Sequence, residues 1–449
     1  MSTIEKHDMT QGKILLPLVS FTIPLVLGNL FQLTYNAADS VIVGKYVGEQ
    51  ALAAVGTSTP IMNIAILLIS GMCMGASVLM SSQYGAKDYD TLSRQISTTM
   101  LAGCGFSVVF SLLMLLLANP VLRLIRVPET AIPEAAAYLR IIFMGLIFTF
   151  MYNFLANTMR ALADSKTPLY FLVTSAFLNI FGDLFFVVVL RWGVAGSAIA
   201  TVCSEGLCCL LCGIYIKKKI PLLCLGKKWW VFDKSLLGKT VSYGSTSAMQ
   251  QVCLQLGKLI IQSVVNTQGV AVMAAFTAVN RVDDFAYTPQ QNIGHAMTTF
   301  LAQNKGAGHK ERMKKGFQTG LLIELVYSIG LFCVIWGLAP QIMTLFAEDG
   351  DAQVVSLGIS YLHLISWMYI LPGLTNGVQG FFRGIGDLKV TLYSTFMNMF
   401  GRVVAVFVMI RLLQMEFASL AWANMVGWIV MLLFEVPLLV KSMRNGECG

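Results

Sequence analysis

Twelve apolar stretches recur along this chain, at roughly 14–42, 51–82, 96–118, 133–159, 169–190, 194–216, 240–265, 272–302, 316–338, 354–382, 390–410 and 417–440. Each is long enough to cross about 30 Å of hydrocarbon as a helix. Backbone in lipid must satisfy its own N–H and C=O groups, which leaves helices or a closed barrel. A barrel would show alternating segments of about ten residues, and none is visible. The expected class is therefore an all-α polytopic membrane protein with twelve transmembrane helices. Composition agrees: 56% of the 449 residues are hydrophobic and 12% are charged, with mean hydropathy +0.71, where a soluble domain carries about a quarter charged residues. A short polar N-terminus runs straight into a full-length span, which is not the layout of a cleavable leader.

The net charge of +8 raises the question of a nucleic-acid partner. Its placement answers it. With these spans, twenty-two of the 31 Lys and Arg fall on the side that holds the N-terminus. The opposite side has only Lys45, Arg123, Arg126, Arg191 and Arg411, and Arg140, Lys258, Arg281 and Arg402 lie inside spans. Positive loops stay cytoplasmic, so both termini are expected in the cytoplasm of a multi-pass cell-membrane protein. The basic excess sets orientation and leaves no nucleic-acid patch. The cysteines Cys203, Cys208, Cys209 and Cys212 share one span; lacking a His or loop partner, they read as small packing residues.

The chain also repeats itself. "RALADSKTPLY" at 160–170 resembles "RGIGDLKVTLY" at 383–393, and Asn153 meets Asn376 at the same offset. "GEQALAAVGT" (48–57) resembles "GVAVMAAFTA" (269–278), "QYGAKD" (83–88) resembles "NKGAGH" (304–309), and "LNIFGD" (178–183) resembles "MNMFGR" (397–402). Two six-span halves follow: an N-terminal lobe over 1–216, a basic cytoplasmic linker over 217–239, and a C-terminal lobe over 240–449. Six is even, so the halves share one orientation, related by an axis along the membrane normal. Such pseudo-symmetric lobes around a central cleft form an alternating-access architecture. The repeated Arg160–Asp164 and Arg383–Asp387 pairs are expected to tie helix ends on the cytoplasmic side.

The halves differ where chemistry is expected. Asp39, in "LTYNAADSVIVG", aligns with Ile260, and Asp183 aligns with Arg402. The fold does not need these carboxylates to build a lobe. Gln32, Tyr35, Asn36 and Asp39 stand at steps of three, one and three, a polar stripe on one helix face. Asn179 lies one turn before Asp183, and Thr201 sits in the next span. A charge in hydrocarbon costs several kcal/mol, about 3 on insertion scales, and so marks an ion path or a buried partner. Two neighbouring carboxylates suit a proton; the same oxygens with amide and hydroxyl suit a hard cation such as Na⁺. The plainer alternative for each Asp is burial against an arginine or a hydrogen-bond chain. Pro24 interrupts the first span and either kinks it passively or serves as its hinge.

The second half carries "MQQVCLQLGK", with Gln250, Gln251, Gln255 and Lys258, and "VNRVDDFAYTPQQNIGH". Arg281 and Asp284 have the spacing of a helical ion pair, leaving Asp283 free for a cationic substrate or a second ion. Lys258 is either a counter-charge facing the cleft or a side chain that snorkels to the surface. His295, Glu205, Glu324, His363, Arg402 and Glu435 stand alone and read as helix-contact residues.

"IPLVLGNLFQLTYNAADSVIVGKYVGEQALAAVG", "QYGAK", "LNIFGD", "GVAGSAIAT" and "QNKGAG" resemble the multidrug and toxic compound extrusion (MATE) family, in its prokaryotic branch similar to the DNA-damage-inducible transporters. The resemblance covers essentially the whole chain. It implies twelve helices in two lobes and export of organic cations and amphiphiles against Na⁺ or H⁺ entry. It places a coupling site in the N-terminal lobe: Asp39 with Tyr35 beside it, Asn179 and Asp183, and Thr201. It puts polar lobe residues at Tyr138 and Asn153 and the first-helix proline at Pro24. One departure stands out. The branch with an acidic residue in helix seven has Gln250, Gln251 and Gln255 there instead, which argues against a C-lobe cation site of that kind.

The expected function is a cation-coupled antiporter. Asp39, Asn179, Asp183 and Thr201 take the coupling ion, with Asp39 and Asp183 as ligands where it is Na⁺. Tyr35, Asn36, Tyr138, Asn153, Gln255, Lys258 and Asp283 line the substrate cleft. Partners are small amphiphilic or cationic molecules and the lipid bilayer, and the chain is expected to act as a monomer without a cofactor. A lipid-linked flippase is the rival; it would want a cluster of cations for pyrophosphate, and no first-lobe cluster joins Lys258, Arg281 and Arg402. An enzyme is not expected, because no HExxH or GxSxG occurs.

Overall fold

A computed structural model of the chain describes residues 8–124, 127–129, 131–220, 230–346, 352–413, 417 and 419–444, with side chains inside helices described except at 36–38, 40–41, 49–53, 346 and 411–412. The described residues form helices and no strand. In chain order these are α1 (Leu15–Tyr46), α2 (Glu49–Gly85), α3 (Tyr89–Leu124), α4 (Ile132–Met144), α5 (Leu146–Ala161), α6 (Lys166–Asp183) and α7 (Gly193–Lys219). The second series is α8 (Lys234–Val265), α9 (Val270–Gly306), α10 (Lys310–Phe346), α11 (Ala352–Ser366), α12 (Ile370–Gly384), α13 (Leu388–Val406) and α14 (Ser419–Arg444).

Two spans are broken. Helices α4 and α5 meet at Gly145 with a 47° bend. Between α11 and α12 a single 3₁₀ turn, Trp367–Tyr369, intervenes. With each pair taken as one span, the described helices make twelve crossings. Nine are apolar enough by hydropathy alone, and the α4–α5 pair makes a tenth. Helices α8 and α9, at 32 and 37 residues, are long enough but carry the glutamines and charged residues that lower their hydropathy.

Aspartates set several helix starts. Asp88 accepts the Thr91 amide at 3.1 Å and opens α3. Asp164 accepts the amides of Lys166 and Thr167 at 3.1 and 3.0 Å and opens α6. Each satisfies donors that a helix N-terminus leaves orphaned. Asp88, in the loop after α2, is held below the usual carboxylate range by these Thr91 hydrogen bonds. Asp164 is thus committed to α6 and not to Arg160, and Arg383 donates to Gln379 at 2.8 Å. Among the described residues neither Arg160–Asp164 nor Arg383–Asp387 forms an ion pair; Asp164 caps α6 and Arg383 bonds within α12.

The same succession of features occurs twice. Gly48 and Gly269 precede α2 and α9 with φ of 112° and 102°, a region where a side chain is strained. A π turn follows α6 at Leu184–Val189 and α13 at Phe407–Leu412. Asn153 and Asn376 both donate to the carbonyl four residues back, each at 2.9 Å.

The chain divides into two compact units: Met1–Asp8 with Ile23–Ala248, and Met9–Thr22 with Met249–Gly449. The divide runs through α1 and α8 rather than at the linker 217–239. Close backbone packing explains the first unit's share of α8. A Cβ on Gly71 would stand 2.6 Å from the Ala248 Cα, and one on Gly75 would overlap the Tyr243 carbonyl. Small residues let helix backbones touch, which is how helices associate in lipid without a hydrophobic drive. In the second unit Arg312 donates to the carbonyls of Met9, Gln11 and Gly12 at 2.7–3.2 Å, and Asn304 also reaches Met9 at 3.2 Å.

Each unit has its own core. Ile69, Met80, Leu92, Leu122, Phe143, Phe154 and Met159 interlock in the first. Met343, Tyr361, Leu362, Ile365, Met368 and Tyr369 do so in the second. Outward faces stay apolar, as Val109, Leu112 and Leu116 of α3 illustrate, because these meet acyl chains rather than water.

Candidate functional site

The site is assembled in the first unit from α1, α6 and α7. Helix α6 ends at Asp183, at the point where the chain passes into its π turn. Turns of this kind interrupt the regular ladder and re-aim nearby groups. Helix α7 comes close because Gly182 faces Ala200, where a Cβ would sit 2.9 Å from the alanine's own. Gly196 faces the Phe186 backbone, where a Cβ would sit at 3.1 Å. These approaches bring Ser197 and Thr201 of α7 to Asp39 of α1 and Asn179 of α6.

The resulting network is short. Ser197 donates its hydroxyl to an Asp39 oxygen at 2.8 Å. Asn179 donates its amide to the Thr201 hydroxyl at 3.2 Å, and Thr201 donates to the Ser197 carbonyl at 3.1 Å. Asp183 is fully buried and Asn179 nearly so. Asp39 and Asp183 lie within side-chain hydrogen-bonding reach of each other. Among the described residues no donor reaches either Asp183 oxygen, and the Asn179 carbonyl oxygen is also without one. An orphaned buried carboxylate such as Asp183 is expensive, and a second carboxylate beside it adds repulsion that a cation or a proton relieves. The predicted quartet Asp39, Asn179, Asp183 and Thr201 therefore sits together, and among the described residues both Asp183 oxygens and the Asn179 carbonyl oxygen are without a donor.

A second wall adjoins it. Tyr35, hydrogen-bonded to Gln32, lies within Coulombic range of Asp39 and Glu205. Glu205 of α7 accepts the Thr149 hydroxyl of α5 at 2.5 Å. Asn153 is one turn beyond Thr149 and donates to its carbonyl. Tyr138 is buried, sets its hydroxyl 3.8 Å from the Met62 sulfur, and lies within Coulombic range of Asp39, Asp183, Tyr35 and Glu205. Tyr35, Tyr138 and Asn153 thus border the carboxylate cluster; the side chain of Asn36 lies outside the described residues.

Ser197 goes unnamed in the sequence reading, and Glu205 is read there as a helix-contact residue. Both stand on one face of α7 with Thr201, at steps of four, and that spacing was the available signal.

A family model described as MatE matches residues 24–185 and again 247–409. The chain belongs to the MatE family. The double match follows the internal repeat. The probable multidrug resistance protein YpnP of Bacillus subtilis is 32% identical over 392 residues, covering 87% of this chain and 86% of that protein. A probable multidrug resistance protein NorM of Thermotoga maritima is 23% identical over 92% of this chain and 89% of its own length. A solved structure titled the outward-facing conformation of a multidrug resistance MATE family transporter superposes with a TM-score of 0.91. It is 21% identical, over 100% of this chain and 99% of that one. At that identity the likeness carries the fold, which is the twelve-helix, two-lobe MATE fold.

The second MatE repeat arranges its charges differently from expectation. Asp284 pairs with Lys258 at 3.3 Å rather than with Arg281, and both partners are more than half exposed. Asp283 is buried and accepts hydroxyls from Tyr369 and Tyr361 at 2.6 and 3.0 Å. Its oxygens are spent inside the unit, where a substrate would have to displace two tyrosines. Gln255 is half-buried on α8. Pro24 lies within α1, which stays helical across it, so the loss of its amide bond is absorbed without ending the helix.

Proposed function

We propose that this MatE protein is a cation-coupled antiporter that exports amphiphilic or cationic small molecules by alternating access. The observation that carries the reading is the Asp183 carboxylate, buried beside Asp39 with no donor among the described residues on either oxygen. Such a pair is costly when empty and relieved when a monovalent cation arrives. Ser197 holds Asp39 in place, and the Asn179–Thr201 bond occupies the amide nitrogen and leaves the Asn179 carbonyl oxygen without a donor among the described residues. Loading the pair removes their mutual repulsion and lets α1 and α6 draw together. That movement would disturb Tyr35, Tyr138 and the Glu205 wall, where a cationic substrate competes for the same negative field. Ion entry and substrate release are then linked by electrostatics alone.

The oxygen set accepts a proton or Na⁺. Vesicles holding the purified protein and ethidium, given either a sodium or a proton gradient, distinguish the two. In both cases Asp39→Asn should cut gradient-driven efflux by at least ~100-fold, the effect of losing about 3 kcal/mol of coupling, while the protein remains folded. Wild-type efflux rates in a folded Asp39→Asn protein would refute the reading.

A further inference from the structure

In the second unit two buried carboxyls flank the break between α11 and α12, in opposite surroundings. Asp283 of α9 has two tyrosine hydroxyls on it, and Arg402 lies within Coulombic range. Glu324 of α10 is 1% exposed, and among the described residues neither of its oxygens meets a donor. The polar groups beside it are committed elsewhere. Gln290 of α9 donates its amide to the Ser328 hydroxyl at 3.1 Å and to the Tyr369 carbonyl at 2.8 Å. Ser328 donates to the Glu324 carbonyl at 2.7 Å, with the Tyr369 carbonyl at 3.3 Å. Gly373 of α12 forms the facing wall. A Cβ there would stand 2.9 Å from the Ser328 oxygen, 3.2 Å from the Gln290 nitrogen and 3.4 Å from a Glu324 oxygen. Three polar groups therefore converge on the space that Gly373 leaves.

The donor set decides what binds. A metal cation needs a shell of about six oxygens. This space offers one hydroxyl and one carboxyl oxygen, and its third wall is an N–H donor. Among the described residues no cationic side chain pairs with Glu324. The titratable group in contact with its field is the Tyr327 phenol, which itself donates to the Ala286 carbonyl at 3.1 Å. Tyr369 stands between the two acids, with its hydroxyl on Asp283 and its carbonyl held by Gln290 and Ser328. The packed helices α11 and α12 turn their own charged groups elsewhere: His363 stacks on Trp336 and Arg383 bonds Gln379.

We propose that Glu324 is an exchangeable proton site of the second unit, and that the α11–α12 break reads its state through Tyr369. It lies away from the helix-seven position, where glutamines stand, and it is independent of the antiport reading. Neutral Glu324 tolerates a dry pocket. When its proton leaves to water, the anion needs donors. The nearest are the Gln290 amide and the Ser328 hydroxyl. Recruiting them releases the Tyr369 carbonyl and loosens the break.

Hydrogen–deuterium exchange of the purified chain in liposomes tests this, read on peptides covering 363–374 and corrected for the intrinsic pH dependence of amide exchange. Protection in the wild type should fall several-fold from mildly acidic to mildly alkaline pH. Glu324→Gln should keep the acidic-level protection throughout. An equal response in wild type and Glu324→Gln, or a flat wild type, overturns the proposal. If Glu324→Gln does not fold, Ser328→Ala keeps the carboxyl and removes one recruitable donor; its response should shrink, and an unchanged response likewise overturns the proposal.

Discussion

Glu205 shows how much one side chain can decide. It stands one turn beyond Thr201 on α7, its carboxylate is held by a single hydroxyl, and Tyr35 shares its field. Changing it to Gln keeps the volume and removes the charge. A cation that pairs with Glu205 then loses an interaction of about 1.4 kcal/mol, which is tenfold in affinity. The half-saturating ethidium concentration in Glu205→Gln vesicles should rise about tenfold, with little change for an uncharged dye, as concentration-dependent efflux rates would reveal. Asp39 and Asp183 were legible in the sequence because a carboxylate in apolar text is rare and because the repeat lacks them. Glu205 carried the same oddity but no visible partner. Thr149 is 56 residues away on another helix, and only packing brings the two together. Asp283 misled for the same reason in reverse: its tyrosines come from elements 78 and 86 residues downstream.

Between elements, glycine sets the spacing. Helices α9 and α12 cross so closely that a Cβ on Gly380 would lie 2.7 Å from the Gly294 carbonyl oxygen, while one on Gly294 would lie 2.9 Å from the Asn376 carbonyl. Neither partner is a flexible tip that can swing away. Gly380→Ala must therefore push two backbones apart, at a cost of about 1–3 kcal/mol. The purified variant should melt several degrees below wild type, whereas Gly213→Ala, with open space around its Cβ, should not. Helix number and span positions were readable from hydropathy, since each crossing needs a long apolar run. The breaks were not. Both 133–159 and 354–382 read as single spans, and nothing in their hydropathy marks Gly145 or Trp367–Tyr369. Those breaks depend on what packs beside them: the Val202 side chain against Gly145, and Gln290 with Ser328 on the Tyr369 carbonyl.

At the scale of the molecule, orientation decides the side from which the proposed coupling ion would arrive. Most of the basic residues lie in loops on the side of the N-terminus, and the positive-inside rule predicts that this side faces the cytoplasm. Helix α1 then runs outward, and Asp39 sits seven residues before its end at Tyr46, about 10 Å at 1.5 Å per residue. Helix α6 also runs outward and reaches Asp183 at its far end. Helix α7 returns inward, with Ser197 and Thr201 in its first turns and Glu205 deeper. With that orientation, the three helices would hold the proposed coupling-site oxygens in the outer half of the first unit, as the proposed uptake from outside requires. Green fluorescent protein fused to the C-terminus should fluoresce. Alkaline phosphatase should be active when fused in the α1–α2 turn at Gly48 and inactive in the α9–α10 turn at Gly308. The opposite pattern would turn the molecule over and place Asp39 and Asp183 near the cytoplasm, where an inward gradient could not load them first.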